Sequence, residues 1–157
     1  MNTTLDIIAV IAVSGILLAI TIVDFRTMEI PPWLILALIP CAIYFAFDGR
    51  PLWHRILGFF IISVPMIILM LVVEGAFGGA DVQLIAVCGF LLGYSRTLLA
   101  MFIALLLGGL VAITLLAAGK KDKTEHIPFG PYICAGVVAA MFAGDGIIQW
   151  YFEIFGL

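Results

Sequence analysis

Long apolar runs separated by short polar segments form the dominant pattern along this chain. Six runs are present, at 5–24, 32–47, 56–74, 81–94, 97–118 and 131–152. A helix that crosses a hydrocarbon core of about 30 Å needs about 20 residues at 1.5 Å each. The pattern therefore predicts an all-α integral membrane protein, a bundle of six transmembrane helices with short loops in a single domain over 1–157. The second and fourth runs are short, so these helices must tilt or include flanking residues.

Composition supports a place in the lipid bilayer and excludes several other classes of protein. Of the 157 residues, 65% are hydrophobic and 11% are charged, whereas about a quarter of an ordinary soluble domain is charged. Seven Lys and Arg residues with a net charge of −3 leave no basic face for a nucleic acid. Cys41, Cys88 and Cys134 lie in apolar runs without a CxxC pair, which predicts small buried residues rather than disulfides or a zinc site.

The positive-inside rule predicts the orientation of the bundle. With six spans, one side of the membrane carries four basic residues: Arg26, Lys120, Lys121 and Lys123. The other side carries three: Arg50, Arg55 and Arg96. We therefore expect the first side to face the cytoplasm and both termini to lie outside a cytoplasmic (inner) membrane.

Two acidic residues reach the predicted cytoplasmic side from different helices. Asp24 ends the first span, and Asp81 follows a glycine-rich turn and starts the fourth. Taken singly, each has an ordinary structural interpretation, because Asp often begins a helix and a polar residue often ends a span. Their shared location favours a function, because two adjacent, partly desolvated carboxyls share one proton. The ionised carboxylate can then take a proton from water while the other donates to a carbonyl oxygen, as peptide hydrolysis requires.

Other functions remain open from the residues alone. Two carboxylates without a nearby His or Cys make a poor zinc site, so we expect no metal and no cofactor. A small proton-coupled transporter or channel would use Asp24, Asp81 and Asp145 as relay or ion sites, and a non-catalytic membrane assembly component would need none of them. Asp145 lies about 21 Å along the last helix, where a pair with Arg96 or Arg55 explains it structurally.

Three segments resemble the type IV prepilin peptidases and archaeal preflagellin peptidases. Residues 24–31 read DFRTMEIP and resemble the first family motif, an Asp followed by a short polar stretch and Ile-Pro. Residues 78–84 read GGADVQL and resemble the Gly-x-Gly-Asp motif. Residues 127–132 read IPFGPY and are similar to the segment that opens the last helix of the family.

This resemblance implies a membrane aspartic endopeptidase with Asp24 and Asp81 as its catalytic residues. Its partners would be precursor pilins or archaellins, which lose a short basic leader ahead of a hydrophobic helix at the cytoplasmic membrane face. Acidic and glycine residues near the pair are candidates for substrate binding: Glu29, Glu74, Gly78 and Gly79. Ala80 and Gln83 depart from the family pattern, where a glycine and often a lysine stand. Without CxxC pairs, we expect peptidase activity without methyl transfer.

Overall fold

The computed structural model describes residues 3–73, 77–118 and 128–156, which form six α-helices and no strand. The helices are α1 (Thr3–Thr27), α2 (Pro32–Phe45), α3 (Leu52–Val72), α4 (Gly79–Leu92), α5 (Tyr94–Ala117) and α6 (Gly130–Phe155). Each begins and ends within about four residues of a predicted apolar run. The all-α prediction is confirmed.

Four of the six helices have the length and apolar composition of a membrane span: α1, α3, α5 and α6. The other two, α2 and α4, have 14 residues each and are therefore only about 21 Å long. Of the six predicted membrane spans, four are thus confirmed as helices of sufficient length. The second and fourth apolar runs, which the sequence already showed to be short, form the short helices α2 and α4.

Helix α4 lies at the centre of the bundle. It buries nine of its residues and packs against α2, α3, α5 and α6. Helix α1 packs against α2 and α6 instead, and within the described residues it makes no direct helix contact with α4. Helices α2 and α6 each pack against both α1 and α4 and so connect these two helices.

Glycines set the closest helix approaches. A Cβ atom on Gly89 of α4 would lie 2.2 Å from the carbonyl oxygen of Gly58 on α3. One on Gly136 of α6 would lie 2.1 Å from the carbonyl oxygen of Ala100 on α5. Such backbone contact is how helices associate in lipid, where the hydrophobic effect does not drive them together.

An ion pair inside the bundle fixes one end, which we call the arginine end. Arg55 on α3 is only 1% exposed, and its guanidinium lies 2.6 Å from the carboxylate of Asp48 in the α2–α3 loop. Arg55 also donates to the carbonyl oxygens of Phe90 and Leu91, near the end of α4. Burial alone would raise the pKa of Asp48, but the contacts of its carboxylate with Arg55 and Arg50 outweigh that effect and lower it.

Asp145 of α6 is also paired at the arginine end. Its carboxylate accepts from Nε of Arg96 at 2.8 Å and lies 3.5 Å from the guanidinium of Arg50. The predicted pair with Arg96 is confirmed. The alternative pair with Arg55 is wrong, because Asp48 and the α4 carbonyls already occupy that guanidinium.

Candidate active site

The opposite end of the bundle, which we call the carboxylate end, contains both acids singled out by the sequence. Asp24 lies near the end of α1 and is 4% exposed, and Asp81 lies in the first turn of α4 and is 9% exposed. Their carboxylates are close enough to interact electrostatically. Two buried carboxylates that repel each other cannot both carry a full charge easily, so the pair favours a state in which one of them is protonated.

The start of α4 positions Asp81. The N–H of Gly78 donates to Oδ2 of Asp81 at 3.3 Å, and the positive end of the helix favours a carboxylate there. A Cβ atom on Gly78 would lie 3.1 Å from that oxygen, whereas one on Gly79 would meet nothing within 4 Å. Gly78 therefore keeps the turn close to the carboxylate, and Gly79 leaves open space beside it.

The environment of Asp24 differs, because one of its carboxylate oxygens makes no hydrogen bond. Oδ2 of Asp24 is buried and has no hydrogen-bond partner among the described residues. A buried polar atom without a partner costs about 1–3 kcal/mol. Among the described residues this orphaned oxygen has no partner with good hydrogen-bond geometry, although the backbone of Gly130 lies next to the carboxylate.

Gly130, at the start of α6, faces this oxygen. A Cβ atom on Gly130 would lie 2.5 Å from Oδ2 of Asp24 and 2.9 Å from Cδ1 of Ile30. Only glycine fits between these two side chains without displacing one of them. Sequence reasoning did not select Gly130 as a site residue, although the Phe-Gly-Pro segment that contains it was already one of the three resembling segments.

The chain turns sharply after α1, close to Asp24. Met28 has a positive φ of 54°, which is uncommon for a residue other than glycine, and its N–H donates to the carbonyl oxygen of Asp24 at 2.9 Å. The hydroxyl of Thr27 donates to the carbonyl oxygen of Val23 and closes the last turn. This strained turn directs the chain from Asp24 towards Ile30, the neighbour of Gly130.

Cys134 lies one helical turn beyond Gly130 on α6, close to both acids. Its side chain is 2% exposed, and its thiol is close enough to interact electrostatically with both Asp24 and Asp81. All three cysteines have free thiols, and Cys88 and Cys134 are buried while Cys41 is half-buried. The expectation of small buried residues without disulfides therefore holds for Cys88 and Cys134 and in part for Cys41.

Of the remaining candidate residues, the structure describes only some. Glu29 follows the strained turn and is exposed to solvent. Glu74 lies outside the described residues, as do the lysines at 120, 121 and 123. In the described ranges, no three His, Cys, Asp or Glu side chains are grouped so that they could hold a metal ion.

These observations define a helical protein with membrane-length helices and a buried carboxylate pair at one end of its bundle. The sequence pattern of the Type IV leader peptidase family matches residues 11–113, a segment that contains both Asp24 and Asp81. The chain belongs to this family, and the resemblance predicted from the three segments is confirmed at that level.

Several relatives carry the name prepilin leader peptidase/N-methyltransferase. The protein from Bacillus subtilis (strain 168) is 27% identical over 153 residues, which cover 96% of this chain and 62% of the relative. The protein from Aeromonas salmonicida (strain A449) is 26% identical over 151 residues, 92% of this chain and 52% of the relative. The protein from Legionella pneumophila is 35% identical over 74 residues, 47% of this chain and 26% of the relative.

The chain thus spans between half and two thirds of the length of the relatives that it matches along most of its own sequence. No solved structure matches it.

Proposed function

We propose that this protein is a membrane aspartic endopeptidase that removes the short basic leader of type IV prepilin-like or preflagellin precursors. The observation that carries the proposal is the buried, electrostatically coupled pair of Asp24 and Asp81 within the segment that matches the family. We infer the class of substrate from the membership of the chain in a leader peptidase family, and we infer the reaction from the carboxylate pair.

The pair cleaves a peptide bond by activating water. In the form with one shared proton, the ionised carboxylate accepts a proton from a water molecule as its oxygen attacks the scissile carbonyl carbon. The protonated carboxyl donates a hydrogen bond to the carbonyl oxygen and stabilises the charge that develops there. Collapse of the tetrahedral intermediate breaks the C–N bond, the leaving nitrogen takes a proton from the pair, and a carboxylic acid and an amine are released.

The surroundings of the pair fit a substrate that arrives along the backbone of an extended segment. The open space at Gly79 admits a chain beside Asp81. The orphaned Oδ2 of Asp24 gains a partner when a small displacement of its neighbours admits a carbonyl or a water molecule. Exposed Glu29, together with Glu74 on the sequence beside the glycine turn, attracts the basic leader.

We place the carboxylate end at the cytoplasmic face of the membrane, with α2 and α4 as short spans. On the sequence, Arg26 lies two residues after Asp24, and the lysines at 120, 121 and 123 lie in the segment that joins α5 to α6; these basic residues support this orientation. At the other end Arg55 is buried within the bundle, so it adds little to the charge of the loops there.

The pairing of Asp145 weighs against the transporter alternative. A proton relay needs acids at several depths that are free to exchange protons. Asp145 is held instead by Arg96 and Arg50 at the arginine end, and the other two acids lie together at the opposite end.

The experiment is cleavage of a tagged type IV prepilin by the purified protein in detergent, with mass spectrometry of both products. A panel of prepilins and preflagellins, including one from Bacillus subtilis, covers variation in the leader. We expect hydrolysis at a single bond between the basic leader and the hydrophobic helix, and none with the double variant Asp24→Asn/Asp81→Asn. Intact precursors across the whole panel, with correctly folded protein, contradict the proposal.

A further inference from the structure

An apolar groove follows the seam between α1 and α6 on the outside of the bundle. It consists of two adjacent cavities, of about 740 Å³ and about 530 Å³, which share Ser14 and Leu18 among their lining residues. We call it the α1–α6 groove. On α1 its lining runs from Asp6 to Thr21, and on α6 from Phe142 to Pro131. Asp6, at the far end, accepts a hydrogen bond from the hydroxyl of Tyr44.

The dimensions of the α1–α6 groove match those of a helix in the membrane. Fourteen residue steps from Ile7 to Thr21 correspond to about 21 Å of helix, which is about two thirds of a hydrocarbon core of about 30 Å. The groove is thus too long for a small polar ligand and has the length of several helical turns.

Small residues form part of the groove, and large apolar residues flank them. A Cβ atom on Gly15 would meet nothing within 4 Å, and Ala135 and Ala139 line the same groove from α6. Ile11 and Leu18 are 65% and 61% exposed. Small residues that allow close backbone approach are the usual contact surface between helices in lipid.

The groove ends next to residues that adjoin the carboxylate pair, although neither acid lines it. Pro131, which lines the groove, follows the glycine that contacts Asp24. Cys134, which also lines it, interacts electrostatically with both Asp24 and Asp81. A segment lying in the groove therefore ends within a turn of the residues that surround the two acids.

One polar group inside the groove lacks a partner. Oγ of Ser14 is buried and makes no hydrogen bond within the described part of the chain, although the same residue lines both cavities. Because Ser14 lines the groove, a rotation of its side chain about χ1 lets the hydroxyl donate to a backbone carbonyl or a polar side chain of a docked helix, which removes the cost of its burial.

From these observations we infer that the α1–α6 groove is the docking site for the hydrophobic helix of the precursor, an inference that rests on the proposed function. The helix packs against the small residues of the groove from the lipid side. Its end at the carboxylate end of the bundle then carries the scissile bond to Asp24 and Asp81. The groove thus favours precursors in which an apolar membrane helix directly follows the scissile bond.

Site-specific photo-crosslinking tests this docking. A benzophenone amino acid replaces Leu18 in the α1–α6 groove or, as the control, Phe102, which is 59% exposed and lines a separate groove between α5 and α6. Both variants carry Asp24→Asn so that a bound precursor is not released. We expect Leu18→benzoylphenylalanine to crosslink to the hydrophobic helix of a precursor that the wild-type protein cleaves, and the Phe102 variant to give little of that product.

Equal crosslinking at the two positions overturns the inference, as does a Leu18 adduct with a second copy of the chain or with lipid alone. These results leave the proposed function intact, because the wild-type protein has cleaved the same precursor. Failure of the wild-type protein to cleave any precursor removes the proposed function, and the docking inference with it.

A groove-filling substitution gives a second, kinetic test. Gly15→Trp places a large side chain at the α1–α6 groove, from a position where a Cβ atom meets nothing within 4 Å; Gly109→Trp on α5 is the control, because a Cβ atom there also meets nothing within 4 Å. We expect Gly15→Trp to lower kcat/KM for the precursor by about tenfold or more, the factor that corresponds to 1.4 kcal/mol, chiefly through KM. Equal kcat/KM for the two variants contradicts docking in this groove.

Discussion

Gly130→Ala probes the contact that the structure places against the catalytic candidate Asp24. The added methyl carbon would lie 2.5 Å from Oδ2 of Asp24 and 2.9 Å from Cδ1 of Ile30, whereas ordinary contacts between carbon and these atoms are about 3.5–4.0 Å. The neighbours must therefore separate by roughly 1 Å. A displacement of that size at a reacting group costs on the order of 100-fold in rate, and overpacking costs about 1–3 kcal/mol of stability.

Gly146→Ala is the matched control on the same helix. A Cβ atom there meets nothing within 4 Å, and position 146 lies about 24 Å along α6 from position 130. Alanine at 146, inside α6, gains about 1 kcal/mol of helix propensity, whereas position 130 is the first residue of the helix and gains less, so activity rather than stability is compared. We expect prepilin cleavage by Gly130→Ala to fall about 100-fold and that by Gly146→Ala to match the wild-type rate. Equal rates for the two variants refute the assignment of Gly130 as the residue that positions Asp24.

The ion pair at the arginine end predicts that Asp48→Asn lowers the free energy of unfolding by about 3 kcal/mol, because buried Arg55 loses its counter-charge; thermal unfolding in detergent measures this. Since the folded pKa of Asp48 lies below 3.8, its contribution to stability is complete above about pH 3.8 and is lost as the pH falls through the folded value. If the free energy of unfolding of Asp48→Asn falls with acidic pH as steeply as that of the wild type, this prediction is contradicted. Met28→Gly, which removes the cost of a positive φ, should be more stable than Met28→Ala by about 1 kcal/mol, and the reverse order is the refuting result. Gly89→Ala places a Cβ atom 2.2 Å from a carbonyl oxygen of Gly58 and should cost about 3 kcal/mol; unchanged thermal unfolding argues against the close α3–α4 contact.

The apolar runs predict the helices well because a membrane helix needs a certain length of apolar sequence, which is a local property. The same runs carry little information about which face of a helix is buried. Lipid and protein interior are both apolar, so a residue such as Leu17, which is 1% exposed, and Leu18, which is 61% exposed, look alike in the sequence. The α1–α6 groove could not be predicted for this reason.

Among the charged residues and glycines, some roles could likewise be predicted from the sequence and others could not. Asp24 and Asp81 could be selected because a carboxylate near hydrocarbon needs an explanation, and the number of spans places both at one side. The partners of Arg55 and the contact of Gly130 depend on how helices pack, which spacing along the chain does not give. The role of Gly130 could not be predicted from the sequence, because it depends on the lack of a side chain at a close contact.

The proposed catalytic role of the carboxylate pair also explains features that lower stability at this end of the bundle. The orphaned oxygen of Asp24 and the positive φ of Met28 each lower stability, and they lie within five residues of each other. Strain and unsatisfied polar groups of this kind accumulate at functional sites. The arginine end, by contrast, satisfies its buried charge with Asp48 and two carbonyl oxygens.

The most direct test of the carboxylate pair is single-turnover cleavage of a tagged prepilin by Asp24→Asn and by Asp81→Asn separately, each at saturating protein. Asn keeps the size of the side chain and removes its acid–base chemistry. If the two acids act as one unit, each single variant loses activity as completely as the double variant does. A single variant that still removes the leader within a few-fold of the wild-type rate contradicts the shared mechanism.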